Sequence, residues 1–241
     1  MKRKNRIDVD SRLKFSNVLR RYLDVPRFIN FLMSSSLYFC RTDLFPDKFE
    51  GSFTPSVRDA ICAAYKKNKI EYTYEKFKKE LREGVFISCW SLGVDDNMAL
   101  WQRFGSTNDC LAITTTVKKL KTALNQFTGA GQLSIRKVDY IRHWKDPAID
   151  VNPYSSVFRY KAVGYEFEKE VRIIIDRFDS IFESEEKDEG VLVPIDLNSF
   201  IRSIVVSPEC SNWFRSVVKD VSAKYGVSCP VRNSSMAKEP I

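Results

Sequence analysis

Histidine is almost absent, His143 being the only one in 241 residues. That excludes HExxH zinc hydrolases, paired-histidine phosphodiesterases and most multi-histidine metal sites, and any serine or cysteine triad would have to use His143. Lying in RHWKDP beside an expected turn, His143 reads as an ordinary surface or partly packed residue. Phosphate-binding loops are missing too. No GxxxxGK[ST] occurs, and TGAGQL lacks the GxGxxG spacing after a buried strand, so P-loop chemistry and Rossmann dehydrogenases fall away. Cys40, Cys62, Cys89, Cys110, Cys210 and Cys229 form no CxxC pair, and no metal site is expected from them. The first four lie in apolar surroundings, where free cysteines act as small buried hydrophobes, which suits a reducing cytoplasm. No segment approaches the ~20 apolar residues that span a bilayer. The basic opening is followed by IDVDSRLKFSNVLRRYLD, charged throughout, with no apolar signal-peptide core. The expectation is a cytoplasmic protein without a membrane partner.

What is present is an ordinary globular composition, 44% hydrophobic and 29% charged, long enough to build a full core without staples. Lys and Arg number 39 against 31 Asp and Glu, a formal charge of +8 that favours polyanions without identifying one. Some of the excess sits in Lys2, Arg3, Lys4 and Arg6 and more between Lys66 and Arg82, while Asp176 to Glu189 is acidic and reads as an exposed loop. The organisation expected is a basic tail over residues 1–12 and a single α+β domain over 13–241.

Periodicity alternates between helix and strand. Asp24 caps an expected helix VPRFINFLMSS, and the apolar LYFCR that follows reads as a strand. Helices are expected over 56–67 and 74–82, then a buried strand VFISCWS, a short helix NMALWQRFG, strand CLAITTT, amphipathic helix VKKLKTALNQF and half-exposed strand LSIRKVDYI. YEFEKEVRIIID passes from alternation into a continuous apolar run, as a strand entering a sheet core would. Strands VLVPID and SIVVSP, helix SNWFRSVVKDVSAKYG and a last strand VSCPV complete a mixed, mostly antiparallel sheet with flanking helices.

Three polar clusters stand out. In RTDLFPDKFE, Arg41, Asp43, Asp47 and Glu50 alternate with Leu44, Phe45 and Phe49, which would anchor the loop and position its charges. WSLGVDDNMALWQRFG sets Trp90 and Trp101 either side of a capped turn, either as core packing or as a stacking platform. In YEFEKEVRIIID, an extended chain puts Glu166, Glu168, Glu170 and Arg172 on one face and Phe167, Val171 and Ile173 on the other. That charged face either serves a ligand or is stitched by Glu and Arg pairs.

LYFCRTDLFPDKFEGSF, FISCWSLGVDDNMALWQRFG and FEKEVRIII, followed by VVSPECSNW, together resemble a widespread bacterial domain family of unknown function, from about Leu37 to Trp213. FEKEVRI is also similar to the E-x-E strand of ADP-ribosyltransferases. That resemblance implies an ADP-ribosyltransferase-like fold, NAD as substrate and a macromolecular acceptor, nucleic acid or protein, in a toxin or antiphage effector. It implies Glu170 as the carboxylate that stabilises the ribosyl cation and Glu168 as the group that orients the acceptor. Arg41 would hold the pyrophosphate, Ser88 would be the middle polar residue, and Trp90 or Trp101 would stack on a ring of the cofactor. Here Ser88 lies outside any Ser-Thr-Ser run. Two competing expectations remain open. One is a magnesium nuclease on Asp47, Glu50, Glu168 and Glu170, with a PD…ExK candidate at Pro46-Asp47 and Glu185-Glu186-Lys187. The other is a noncatalytic nucleic-acid or partner-binding module using the basic face near Lys66 to Arg82 and exposed aromatics.

Overall fold

A computed structural model describes residues 7–47, 49–105, 108–179 and 188–238. In chain order the first half runs β1 (Asp8–Val9), β2 (Val18–Leu23), α1 (Val25–Ser34), β3 (Ser36–Arg41), α2 (Pro55–Lys67), α3 (Tyr74–Glu83), β4 (Val85–Leu92), α4 (Met98–Phe104), β5 (Leu111–Thr116) and α5 (Val117–Leu124). The second half runs β6 (Gln132–Lys137), β7 (Asp139–Ile141), β8 (Tyr160–Ala162), β9 (Glu170–Asp176), β10 (Gly190–Pro194), α6 (Leu197–Phe200), β11 (Ser203–Val206), α7 (Asn212–Lys224) and β12 (Val231–Asn233). The main sheet is ordered β1-β6-β9-β4-β2-β5-β11-β12, with β3 joining β4 and carrying β10, and β7 and β8 form a separate pair. The β1–β6, β11–β12 and β7–β8 pairs are parallel and every other pair is antiparallel, so the chain is α+β with a mixed, mostly antiparallel central sheet. Among the described residues no helix is long and apolar enough to cross a membrane.

Local signals explain most elements. Asp24 accepts from the Arg27 N–H (2.8 Å) and Pro26 falls in the first turn, which starts α1. Thr73 and Thr116 cap α3 and α5 through their hydroxyls, and Asn97 caps α4 by accepting from Ala99 (2.9 Å). Each sheet face buries its own cluster. Phe86, Trp90, Val171, Ile173 and Ile175 join the large core under α1, α5 and α7. Val85, Ile87 and Ile174 on the opposite face pack with Phe53, Phe77, Leu81 and Phe158.

Three expectations are corrected, and one strand is added where no element was expected. Residues 7–12 belong to the fold: Ile7 is buried, Asp8 and Val9 pair with Ser134 and Ile135, and the Asp10 carboxylate accepts from Arg12 Nη2 at 2.7 Å. Residues 1–6 lie outside the described set. VLRRYL is a central strand, β2, because its six residues bridge β5 and the end of β4. In YEFEKEVRIIID the strand begins only at Glu170; Val163–Glu168 is a 3-10 turn closed by Lys169 at φ 45°, so Glu166 does not share a strand face with Glu170, and Phe167 is exposed. The last strand is Val231–Asn233, since Ile204, Val205 and Val206 take those residues as their parallel partners.

Candidate functional site

β4 changes partner along one edge. It pairs with β3 at Phe86 and Ile87 and with β2 at Ser91 and Leu92, while its other edge stays on β9 from Val85 to Ser91. β2 meanwhile remains paired with β5 as far as Leu23, so β2 and β3 splay apart over Ser88–Trp90. Main-chain groups alternate between edges in an antiparallel strand. Leu92 N–H reaches Lys169 O (2.8 Å) on the β9 side and Gly93 N–H reaches Val18 O (3.0 Å) on the β2 side. By that parity Cys89 aims its N–H and C=O into the gap. A cavity of about 510 Å³ opens there, walled by β2, the 45–50 loop, α4 and the Val163–Glu168 turn.

One wall is acidic and internally neutralised. Glu50, Glu168 and Glu170 converge on Lys161 Nζ at 3.4, 2.6 and 3.0 Å. Arg172, fully buried, donates from Nε to Glu170 Oε1 (3.1 Å), from Nη2 to Glu50 Oε1 (2.9 Å) and from Nη1 to Phe158 O (2.7 Å). Glu50 arrives through a tight turn at Gly51, whose φ of 68° suits glycine and where a Cβ would meet the Phe158 ring at 2.5 Å. Glu170 N–H is held by Tyr140 Oη at 2.7 Å. Burial would raise the Glu170 pKa, but Arg172 and Lys161 override it and bring the carboxyl down to about 2. Desolvation alone would lower Lys161, and Glu170, Glu50 and Glu168 together raise it. Both groups therefore remain charged at neutral pH. Burial, with Glu170 beside it, pushes the Cys89 thiol well up, so Cys89 stays protonated and is no nucleophile.

The two acids differ in what they leave available. Both Glu170 oxygens accept from buried cations, whereas Glu168 spends Oε2 on Lys161 and leaves Oε1 without a hydrogen bond, facing Arg103 Nε at 3.1 Å. Arg103 is half-exposed at the mouth, with its guanidinium 5.6 Å from the Phe104 ring and 5.3 Å from the Tyr165 ring.

The opposite wall is cationic. Arg21 Nη1 donates to Ser88 Oγ (3.0 Å), and its guanidinium lies 6.0 Å from the Trp90 ring. Neighbouring Arg20 donates from Nη2 to Val94 O (2.8 Å) and keeps Nε and Nη1 buried without a partner. Among the described residues no carboxylate lies within ion-pair distance of either guanidinium. Burial pulls Arg21 below the ordinary arginine range with no carboxylate to offset it. On the rim Asp47 spends Oδ1 on Phe49 N–H (2.9 Å) and leaves Oδ2 buried and unpartnered.

The expected site residues thus separate. Glu168, Glu170, Glu50, Asp47 and Trp90 line one cavity, and Arg172 sits behind them. Ser88 is fully buried and reaches the cavity through Arg21. Arg41 does not line the cavity; it is held by Asp43 Oδ1 (2.7 Å) and Asp188 O (3.1 Å) at the far end of β3, so Arg21 occupies the position expected for it. Trp90 packs edge-on to Phe200 (5.7 Å) in the large core. Trp101 meets Tyr22 edge-on (4.7 Å), gives its Nε1–H to Asp96 (3.1 Å) and does not line the cavity. The aromatic rings at the mouth are Phe104 and Tyr165. For the nuclease expectation, Lys161 stands where the carboxylates converge, and among the described residues no group of three or more His, Cys, Asp or Glu is placed to hold a metal. Glu185, Glu186 and Lys187 lie outside the described residues. His143 is buried, stacked on Phe49 (5.6 Å between centroids) and outside the cavity lining.

Arg20, Arg21, Lys161 and Arg103 were missed in the sequence. The adjacent arginines inside the apolar frame of VLRRYL were a usable signal, since two charges in a strand-length apolar run need a partner; Lys161 carried none. Comparison with family models, with curated proteins and with solved structures finds no match for this chain.

Proposed function

We propose that this cavity takes NAD as substrate and that the protein transfers ADP-ribose to a macromolecular acceptor, with the ADP-ribosyltransferase-like architecture that such chemistry implies. The observation that carries the reading is the meeting, in one chamber, of an ionised carboxylate cluster with two guanidiniums, Arg20 buried and Arg21 half-buried, that make no ion pair, Asp96 acting on Arg20 only from beyond ion-pair distance. A buried cation without a counter-charge is costly, and a ligand pyrophosphate supplies that charge with bidentate geometry. Asp47 Oδ2, free and buried, suits a ribose hydroxyl donor.

Loss of nicotinamide develops positive charge on the ribose, which a carboxylate stabilises more in the transition state than in the ground state. Glu168 suits that role, because moving Arg103 aside bares Oε1. Glu170, saturated by Arg172 and Lys161, is a positioning residue that holds Lys161 against Glu168. Phe104 and Tyr165 offer faces for the departing ring.

The test is mass-spectrometric detection of nicotinamide released from NAD by wild type and Glu168→Gln, with and without nucleic acid. Release by wild type and a roughly 10²–10³-fold loss in the variant, measured below the variant's melting temperature, is expected. No release under any condition overturns the reading. Salt-sensitive nucleic-acid binding without release would favour the noncatalytic binding module instead.

A further inference from the structure

The mouth of the cavity already holds a cation that belongs to the chain itself. Arg103 stands on the last turn of α4, and its guanidinium lies 5.3 Å from the Tyr165 ring, 5.6 Å from the Phe104 ring and, at Nε, 3.1 Å from Glu168 Oε1. All four residues line the one chamber. Lys161 Nζ, 4.9 Å from the Tyr165 ring, shares that ring with Arg103. The contact with Glu168 is an ion pair without hydrogen-bond geometry, since Oε1 is buried and has no hydrogen-bond donor. The Arg103 side chain is 43% exposed and that of Glu168 only 6%, so the carboxylate is fixed and the cation is free to leave. Charge balance explains why a cation sits there. Glu50, Glu168 and Glu170 meet only Lys161 and Arg172 on their inner side, which leaves one negative charge for Arg103 to answer. Glu50 Oε2, on a side chain 5% exposed, is a second buried oxygen without a donor.

We infer that Arg103 keeps the seat of the substrate's cationic ring, and that the pyridinium of an oxidised nicotinamide nucleotide displaces it, so that Glu168 is bared only when a positive ring arrives. The inference rests on the NAD reading for the identity of that ring. Two features select a flat organic cation. Aromatic faces beside a carboxylate attract a delocalised positive charge, and a pyridinium, with no N–H on its ring nitrogen, asks for charge and contact rather than for the hydrogen bond that Glu168 Oε1 lacks. A divalent metal ion needs several oxygen ligands, and Lys161 stands among the carboxylates that would supply them. The chemistry then resets the seat. When the glycosidic C–N bond breaks, its electron pair stays on the ring nitrogen and nicotinamide leaves neutral, while the positive charge passes to the ribosyl carbon, which the acceptor nucleophile takes with loss of a proton. A neutral ring competes poorly with a guanidinium for a carboxylate, so Arg103 returns and the product is released. By the same argument the reduced nucleotide, whose ring is neutral, does not open the seat.

The test is a ligand-observed NMR titration of nicotinamide methylated on its ring nitrogen, a cation, and of nicotinamide itself, neutral, with calorimetry of ADP-ribose on the same samples. Wild type is expected to bind the cation about tenfold tighter than the neutral ring. Arg103→Ala, a change at a half-exposed position, should tighten the cation about three- to fivefold, the worth of the ion pair it removes, and leave the neutral ring unchanged. Phe104→Leu should loosen the cation about threefold. ADP-ribose, which has no pyridinium, should bind wild type and Arg103→Ala equally. Equal binding of the two rings, binding of neither, or no gain in Arg103→Ala would overturn the inference. Preferential cation binding that rises in Arg103→Ala, with no affinity for ADP-ribose and no nicotinamide release, would strike the NAD reading and still support Arg103 as the keeper of a cation seat.

Discussion

The two walls of the cavity contain similar residue types in opposite states. On the β9 side, three carboxylates pair with the Lys161 and Arg172 cations at 2.6–3.4 Å, with Glu50 Oε2 and Glu168 Oε1 left without hydrogen bonds. On the β2 side, Arg20 and Arg21 are held by neutral oxygens of Val94 and Ser88. The difference teaches where charge is left without an ion pair. An ion-paired network gives the chamber its shape, and a cationic wall without ion pairs leaves positive charge uncompensated at close range.

Breaking the ion-paired wall should have the largest effect. Arg172→Ala leaves Glu50 and Glu170 buried without their main cation and is expected to destabilise the fold by about 3–5 kcal/mol, read by urea unfolding. A loss under 1 kcal/mol, by the same measure, would mean the network is solvated rather than buried.

Acid sharpens the same contrast. Arg172 and Lys161 outweigh burial and hold the Glu170 carboxyl down at about 2, against an ordinary 4.5, so its contribution is intact above pH 4.5 and drains away as pH falls from 4.5 toward 2. The total is on the order of 3 kcal/mol. Glu170→Gln should flatten that acid limb in a pH series of unfolding midpoints; an unaltered limb would place the titration elsewhere.

The cationic wall should respond the other way. Arg21→Ala removes a cation with no carboxylate, so stability should hold or rise, while ADP-ribose affinity falls by about 2 kcal/mol, some thirtyfold, in calorimetry. Destabilisation with affinity retained would show that Arg21 is structural.

The smallest effect is expected at His143, which belongs to neither wall. Burial lowers its pKa below 6.5, with Asp47 opposing the shift. Below pH 6.5 the unfolded chain therefore takes a proton that the fold refuses, and stability declines over that window. His143→Phe keeps the stack on Phe49 and should abolish this slope.

Much of the element order was readable because caps and periodicity are local. Asp24 announces α1 within three residues of itself, and the structure adds Thr73, Asn97 and Thr116 as the caps of α3, α4 and α5. β2 was not readable, because Arg20 and Arg21 interrupt the apolar frame that marks a buried strand, and only the β5 ladder and the cavity explain them. Glu168 and Glu170 were chosen on a strand alternation that holds only from Glu170, yet they meet all the same, because the turn at Lys169 brings Glu168 onto Lys161.

By itself, the amino-acid order determined the helices, most strands, the mixed sheet and the candidacy of Asp47, Glu50, Glu168, Glu170 and Arg172, since propensity, capping and alternation act over a few residues. Tertiary structure decided which charges meet. Lys161 finds Glu50 across 111 positions of chain, and Arg21 rather than Arg41 faces the chamber because β2 and β3 part around β4. Ion pairing between distant segments depends on strand order and on where a ladder opens, and neither leaves a mark at short range in the sequence.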